Sequence, residues 1–263
     1  MAVVISFLLF GEVKTLKDVD MLLVDHLSEL RKRMIITLGT FALFFIVSFI
    51  YVQDIYHWLI RDLDEKLAVL GPSDILWVYF MISGVISIAL TIPVAAHQIW
   101  MFVKPALSKH EAKTTLSYIP ALFLLFIAGL AFGYFVVYPM VLDFLLSLSH
   151  GQFQTFFTSE KYFRFMINLT LPFGFLFEIP LVVMFLTSVG LVNPQVLSKA
   201  RRIAYFVLVL IAILITPPDF MSDFLVTIPL LVLYEFSITL SKIVYRKKLA
   251  KQEDNVVELR KPS

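Results

Sequence analysis

Residues 75–102 read ILWVYFMISGVISIALTIPVAAHQIWMF, a run of 28 without one Asp, Glu, Lys or Arg. A core helix in a soluble domain needs no such run. A bilayer does, because its hydrocarbon core, about 30 Å thick, takes about 20 consecutive apolar residues of helix. Outward from this stretch the chain offers comparable runs at Met34–Val52, Leu116–Tyr138, Phe165–Val192 and Phe224–Leu240, and a shorter one at Ile203–Ile215. Composition agrees: the 263 residues are 59% hydrophobic and 16% charged, against about 45–50% and about 25% in soluble domains. The expected fold is an all-α integral membrane protein of six transmembrane helices with short fifth and sixth members. Thr216-Pro217-Pro218 ends the fifth, since proline lacks a donor and clashes with the preceding turn. Its 13 residues rise only about 20 Å, so the bilayer must thin there or longer neighbours must shield the hairpin.

Charge placement orients the bundle. Fourteen Lys and Arg fall on one side (31–33, 104, 109, 113, 199, 201, 202, 242, 246–248, 251) and four on the other (61, 66, 161, 164). The basic side is cytoplasmic by the positive-inside rule, and an even number of spans puts both termini there. Leu23, Leu27 and Leu30 precede span one at helical spacing, which predicts an amphipathic helix along the interface. Ile55, Trp58, Leu59, Leu63, Leu67 and Leu70 predict another on the outer face. Three regions result: an extension over 1–20 that is expected to be dispensable, a six-helix membrane domain over 21–245, and a charged cytoplasmic tail over 246–263, expected to be disordered. The run Ala2–Phe10 has no basic lead and no cleavage site, so it is not a secretory signal, and Met21 is an alternative start.

Little here suggests catalysis. The chain has no cysteine, which excludes disulfides, thiolate metal sites and cysteine nucleophiles. None of its histidines (26, 57, 97, 110, 150) lies mid-span or at ligand spacing, and no hydrolase, zinc-protease or phosphate-loop motif occurs. No enzyme activity, cofactor or nucleic-acid partner is expected. Glu178 is the carboxylate set deep in an apolar run. A membrane-buried acid is costly and points to function, the alternative being a protonated acid that hydrogen-bonds a neighbouring helix. Pro172, Gly174 and Pro180 around it predict a kink. Glu111, in the short basic loop after Trp100 and Phe102, suits a guanidinium beside an aromatic face. By the residues alone, a loop charge paired with Lys109 or Lys113 explains it better. Glu29 stands four residues before Arg33, the spacing of a helix ion pair. Arg31, Lys32 and Arg33 read equally well as a topology signal. Glu235 and Asp143 are read as structural.

These residues assemble into a pattern. His26-Leu27-Ser28-Glu29-Leu30-Arg31-Lys32-Arg33 resembles the N-terminal signature of the TatC family, the core subunit of the twin-arginine protein translocase. Gln98-Ile99-Trp100-Met101-Phe102-Val103-Lys104-Pro105-Ala106-Leu107 resembles that family's first cytoplasmic loop, Phe175-Leu176-Phe177-Glu178-Ile179-Pro180 its fourth helix, and Thr216-Pro217-Pro218-Asp219 its last turn. The motifs are collinear from Met21 to Arg246. The resemblance implies a cupped six-helix receptor for twin-arginine signal peptides in the cell membrane. It would belong to an oligomeric complex with TatA-type single-span subunits, in some systems with a TatB-type subunit, exporting folded proteins on the proton motive force. It implies that Glu111 and Glu29 face the arginine pair with Phe102 nearby, that Arg31 and Arg33 belong to the same signal-binding region, and that Glu178 faces the concave, polar side. For Glu111 it reverses the loop-charge reading. The sequence departs from the family at Ala112-Lys113, after the loop acid, and at Met101, commonly a smaller residue. A small-solute secondary transporter, or a membrane assembly protein without cargo, are the competing classes. The first expects repeated halves with interrupted helices, which the hydropathy lacks; the second has no need of Glu178.

Overall fold

The computed structural model describes residues 16–61, 67–104, 115–148, 157–217 and 219–259. In order, these form α1 (Leu16–Ile50), α2 (Val52–Ile60), α3 (Pro72–Val103), α4 (Tyr118–Phe132), a π-helical turn (Gly133–Val137), α5 (Tyr138–Ser147), α6 (Ser159–Leu176), α7 (Ile179–Val189), α8 (Pro194–Lys199), α9 (Arg201–Ile215) and α10 (Phe220–Leu259). Among the described residues, five stretches are long and apolar enough to cross a membrane: Leu27–Ile50, Pro72–Val103, Tyr118–Ser147, Ser159–Val189 and Phe220–Lys247. α9 has 15 residues and rises about 22 Å, so the fifth span is short as expected. The sixth is not short by itself, because it is the first part of the 40-residue α10.

Three local expectations are corrected. The interfacial helix before span one does not exist as a separate element, since α1 runs unbroken through it. No glycine or proline precedes Gly39 in α1 to stop it. The outer-face helix ends at Ile60, and Leu63 lies outside the described residues. Leu67 and Leu70 follow in non-helical chain because the backbone there is bonded elsewhere. The Ala68 N–H donates to the Phe157 carbonyl at 3.0 Å and the Ser159 N–H to the Ala68 carbonyl at 2.8 Å. The Leu70 and Gly71 N–H groups donate to the Asp74 carboxylate at 3.0 and 3.1 Å, closing the start of α3 with Pro72 at its first position. Finally, the tail is helical to Leu259. Ten of the 14 residues 246–259 are Arg, Lys, Ala, Gln, Glu or Leu and none is glycine or proline, so propensity carries the helix on.

α6 is the centre. Its Phe163, Leu169 and Phe173 are fully buried, packed in one core with Val78 and Ile82 of α3, Val137 of the π turn, Ala212 of α9, and Val226 and Leu230 of α10. α4 and the π turn approach α6 backbone to backbone, at Gly129 and Gly133 respectively. A Cβ on Gly129 would overlap the Phe173 carbonyl oxygen and stand 2.9 Å from the Gly174 Cα, and one on Gly133 would stand 2.8 Å from the Thr170 Cα. This is the small-residue contact that lets helices associate in lipid. The π turn follows because Pro139 has no N–H to donate one turn back. The ladder widens to a Tyr138 N–H bond with the Gly133 carbonyl. α7 closes on Gly190 in the left-handed region (φ 92°). Asn193 caps α8, its Oδ1 accepting from the Gln195 N–H at 3.0 Å. α7 and α10 are joined by a buried hydroxyl pair, Thr187 Oγ1 and Ser241 Oγ, at 2.7 Å.

Candidate functional site

The basic ends of α1 and α3 meet through Arg33. Its Nη2 donates to Glu29 Oε1 at 2.5 Å, one helical turn back. Its Nη1 reaches Gln98 Oε1 and Met101 Sδ, both at 3.3 Å. The expected i,i+4 ion pair therefore forms, and Gln98 and Met101 fix its direction from across the helix boundary. Met101, unusual in size for the family pattern, supplies the sulfur. Arg33, Gln98 and Phe102 line one hollow of about 270 Å³ with the apolar side chains of Leu30, Met34 and Ile99. Arg33 is 17% exposed and Glu29 36%, so the carboxylate is open enough to accept a second cation. Arg31 is exposed and sits about 200° around the helix from both Glu29 and Arg33. The fold thus brings Glu29, Arg33 and Phe102 together and leaves Arg31 apart. Glu111 lies outside the described residues. At the same end the Lys104 ammonium stands 5.0 Å from the centre of the Trp100 ring, a cation–π contact.

Glu178 occupies the break between α6 and α7. Pro180 lacks the N–H that would continue the ladder, and its ring crowds the preceding turn. The chain tightens instead, with the Glu178 N–H donating to the Phe175 carbonyl at 3.1 Å. The predicted kink is thus a two-residue interruption, Phe177–Glu178. Both carboxylate oxygens are buried, and among the described residues neither has a hydrogen-bond partner. Glu178 is one of the residues that line a hollow of about 430 Å³, whose other walls come from α3 (Ile92, Ala96, Trp100), α4 (Tyr118, Leu122) and α7 (Leu181, Phe185). The polar surroundings that the resemblance implies are not what this hollow offers. It lies among spans two, three and four, and its lining is overwhelmingly apolar, with Thr115, Tyr118 and the Trp100 ring the other residues that carry a polar atom. Ala95 and Ile99 of α3 border both this hollow and the one at Arg33, so the last turns of α3 form a wall between them.

One polar cluster was not legible from spacing. Glu235 of α10 accepts from Arg201 Nη2 at 2.7 Å and from the Tyr205 hydroxyl at 2.5 Å. The neighbouring Tyr234 hydroxyl donates to the Leu197 carbonyl at 3.0 Å. At the far end of the hairpin Thr216 donates to Asp223. Short α9 is thus tied to α10 by polar bonds near both of its ends, which supports the structural reading of Glu235. The partners of Glu235 lie 30 and 34 residues away in sequence, and only the coincidence of a basic-aromatic turn before one span and an acid within the next hinted at them. Among the described residues no His, Cys, Asp or Glu cluster is arranged for a metal.

Comparison with known proteins bears directly on this geometry. A family model described as Sec-independent protein translocase protein (TatC) matches residues 25–229. The chain is 64% identical over 230 residues to the Sec-independent protein translocase protein TatCd of Bacillus subtilis (strain 168), spanning 88% of this chain and 95% of that one. It is 44% identical over 233 residues to TatCy of the same bacterium, spanning 87% and 91%. Among solved structures, a crystal structure of the twin arginine translocase receptor TatC superposes with a TM-score of 0.73 at 31% identity, over 83% of this chain and 99% of that one.

Proposed function

The chain belongs to the TatC family of Sec-independent protein translocase proteins, and from that premise we propose that it receives twin-arginine signal peptides at the basic ends of α1 and α3. As a family member it is a multi-pass membrane component of the twin-arginine protein translocase and not an enzyme, and it works in a membrane complex with other Tat subunits. We further propose that those subunits are TatA-type single-span proteins, in some systems joined by a TatB-type protein. Both termini are cytoplasmic in this reading, and the proton motive force drives export of the folded cargo.

The observation that carries the receptor reading is the half-exposed Glu29 carboxylate, held by Arg33 beside the hollow that Phe102 lines. An i,i+4 pair of this exposure contributes only about 0.3–0.5 kcal/mol. A charge-assisted hydrogen bond from an incoming guanidinium contributes about 1.5–3 kcal/mol, so sharing or exchanging the carboxylate favours binding. Glu29 takes one signal arginine, Glu111 takes the other, and the Phe102 ring offers a face for stacking. Arg33 keeps Glu29 oriented in the free protein. Arg31, on the far side of α1, contributes to sidedness. The apolar stretch that follows the arginine pair in a signal peptide finds adjoining apolar surface along Ala95 and Ile99, and beyond them the hollow that holds Glu178.

Capture of a twin-arginine signal peptide, with its twin-lysine form as control, tests this. Glu111→Ala should weaken binding about ten- to a hundredfold, the range set by the lost hydrogen bonds. Glu29→Ala and Phe102→Ala should weaken it as well, while the twin-lysine peptide stays weak throughout. Unchanged capture by Glu111→Ala and Glu29→Ala together would remove the receptor site from this end of the molecule.

A further inference from the structure

We propose that the cleft between α8 and the basic end of α10 binds the phosphate group of an anionic membrane lipid. The cleft encloses about 440 Å³, and its cations are Lys199 of α8 and Lys242 and Arg246 of α10, with Asn193, Ser198 and Tyr245 among them. Lys242, Tyr245 and Arg246 stand at i, i+3 and i+4, so one face of α10 presents two cations and a phenol together. Among the described residues no carboxylate lines the cleft. Glu235, about two turns before Lys242, is already bonded to Arg201 and Tyr205. The two walls are held in place. The Tyr234 hydroxyl donates to the Leu197 carbonyl at 3.0 Å, and Asn193 caps α8. Three cations brought this close repel one another, and a shared anion relieves that repulsion.

Position selects a lipid over a free anion. The cleft sits where the apolar part of α10, Phe220–Lys247, ends, the level of headgroups on the basic side. Exposed apolar side chains adjoin the lining residues in sequence: Ile243 next to Lys242 (47% exposed), Val196 next to Gln195 (60%) and Leu191 two residues before Asn193 (73%). A diacyl phospholipid uses both parts, its phosphate on the cations and its chains on the apolar flank. A soluble phosphate uses only the first. The site also lies at the foot of α9, which follows α8 directly and rises about 22 Å against a hydrocarbon core of about 30 Å. A lipid held there sets the headgroup level beside a span that is too short for the bilayer.

Native mass spectrometry of the purified full chain, titrated with phosphatidylglycerol or phosphatidylcholine, tests the proposal. The parent should retain phosphatidylglycerol selectively. Lys242→Gln/Arg246→Gln should lose roughly thirtyfold in that affinity. A control pair with the same charge change outside the cleft, Lys32→Gln/Arg202→Gln, should stay within a few-fold of the parent. Inorganic phosphate should not displace the lipid. Thermal unfolding without lipid checks that the variants fold, and Lys199→Gln alone serves if the double variant does not. Equal loss in both pairs would make the effect general electrostatics and overturn the site. So would equal retention of phosphatidylcholine, or displacement by inorganic phosphate.

Discussion

Glu178 stands at the break between two apolar helices and Glu29 at the basic end of α1, and their surroundings assign the two carboxylates different work. Glu29 is half-exposed with a cation at 2.5 Å. Both oxygens of Glu178 are buried without a partner among the described residues. A buried polar group left unsatisfied costs about 1–3 kcal/mol, so stability alone does not account for Glu178. Glu178→Leu should therefore leave the melting temperature unchanged or raise it, yet reduce export of a twin-arginine reporter. Glu178→Gln, which keeps size and hydrogen-bonding capacity, should be milder. Export measured against membrane abundance decides this: parental export by the leucine variant at equal abundance would leave Glu178 a tolerated buried acid. The isolation of Glu178 in an apolar run is visible in one dimension, as is the Glu29–Arg33 spacing. That Gln98 and Met101 grip Arg33 from 65 and 68 residues away is not, because nothing in an apolar run says which polar residue will face a neighbouring helix.

The helices owe their ends to local chemistry and their partners to shape. Pro180 breaks α6 from α7, Pro139 accompanies the π turn, and Asp74 and Asn193 start α3 and α8. All of these are short-range and readable. The contact of α4 and the π turn with α6 depends instead on two glycines one turn apart. Gly129→Ala should cost about 1–3 kcal/mol through overpacking, because its methyl meets backbone of α6 that cannot rotate away. Gly39→Ala and Gly84→Ala should be close to neutral, since a Cβ at either position meets nothing within 4 Å. Thermal unfolding in detergent compares the three, and a Gly129 variant as stable as the Gly84 one would mean that the interface is softer than its geometry. The helical tail beyond Tyr245 and the unbroken α1 show propensity acting where the charge pattern suggested an end.

For the molecule as a unit, sidedness is the property most open to direct measurement. Arg33 and Gln98 join α1 and α3 at one end, whereas the Ala68–Thr158 bridge joins the chain before α3 to the chain before α6 at the other, in keeping with the Lys and Arg bias. The chain has no cysteine, so single introduced thiols report without background. Lys161→Cys should react with an impermeant maleimide in intact cells, and Lys247→Cys only after permeabilisation; the reverse pattern would invert the topology. The number and order of apolar runs and the family motifs are one-dimensional quantities, set by run length against bilayer thickness. The sequence by itself determined these. The two hollows along α3, the Glu235–Arg201–Tyr205 tie and the cleft at α8 were decided only by tertiary packing. The physical reason is the solvent: lipid and protein core are equally apolar, so the faces of a spanning helix carry almost no hydrophobic signal for which one turns inward, and small residues and sparse polar groups settle it on contact.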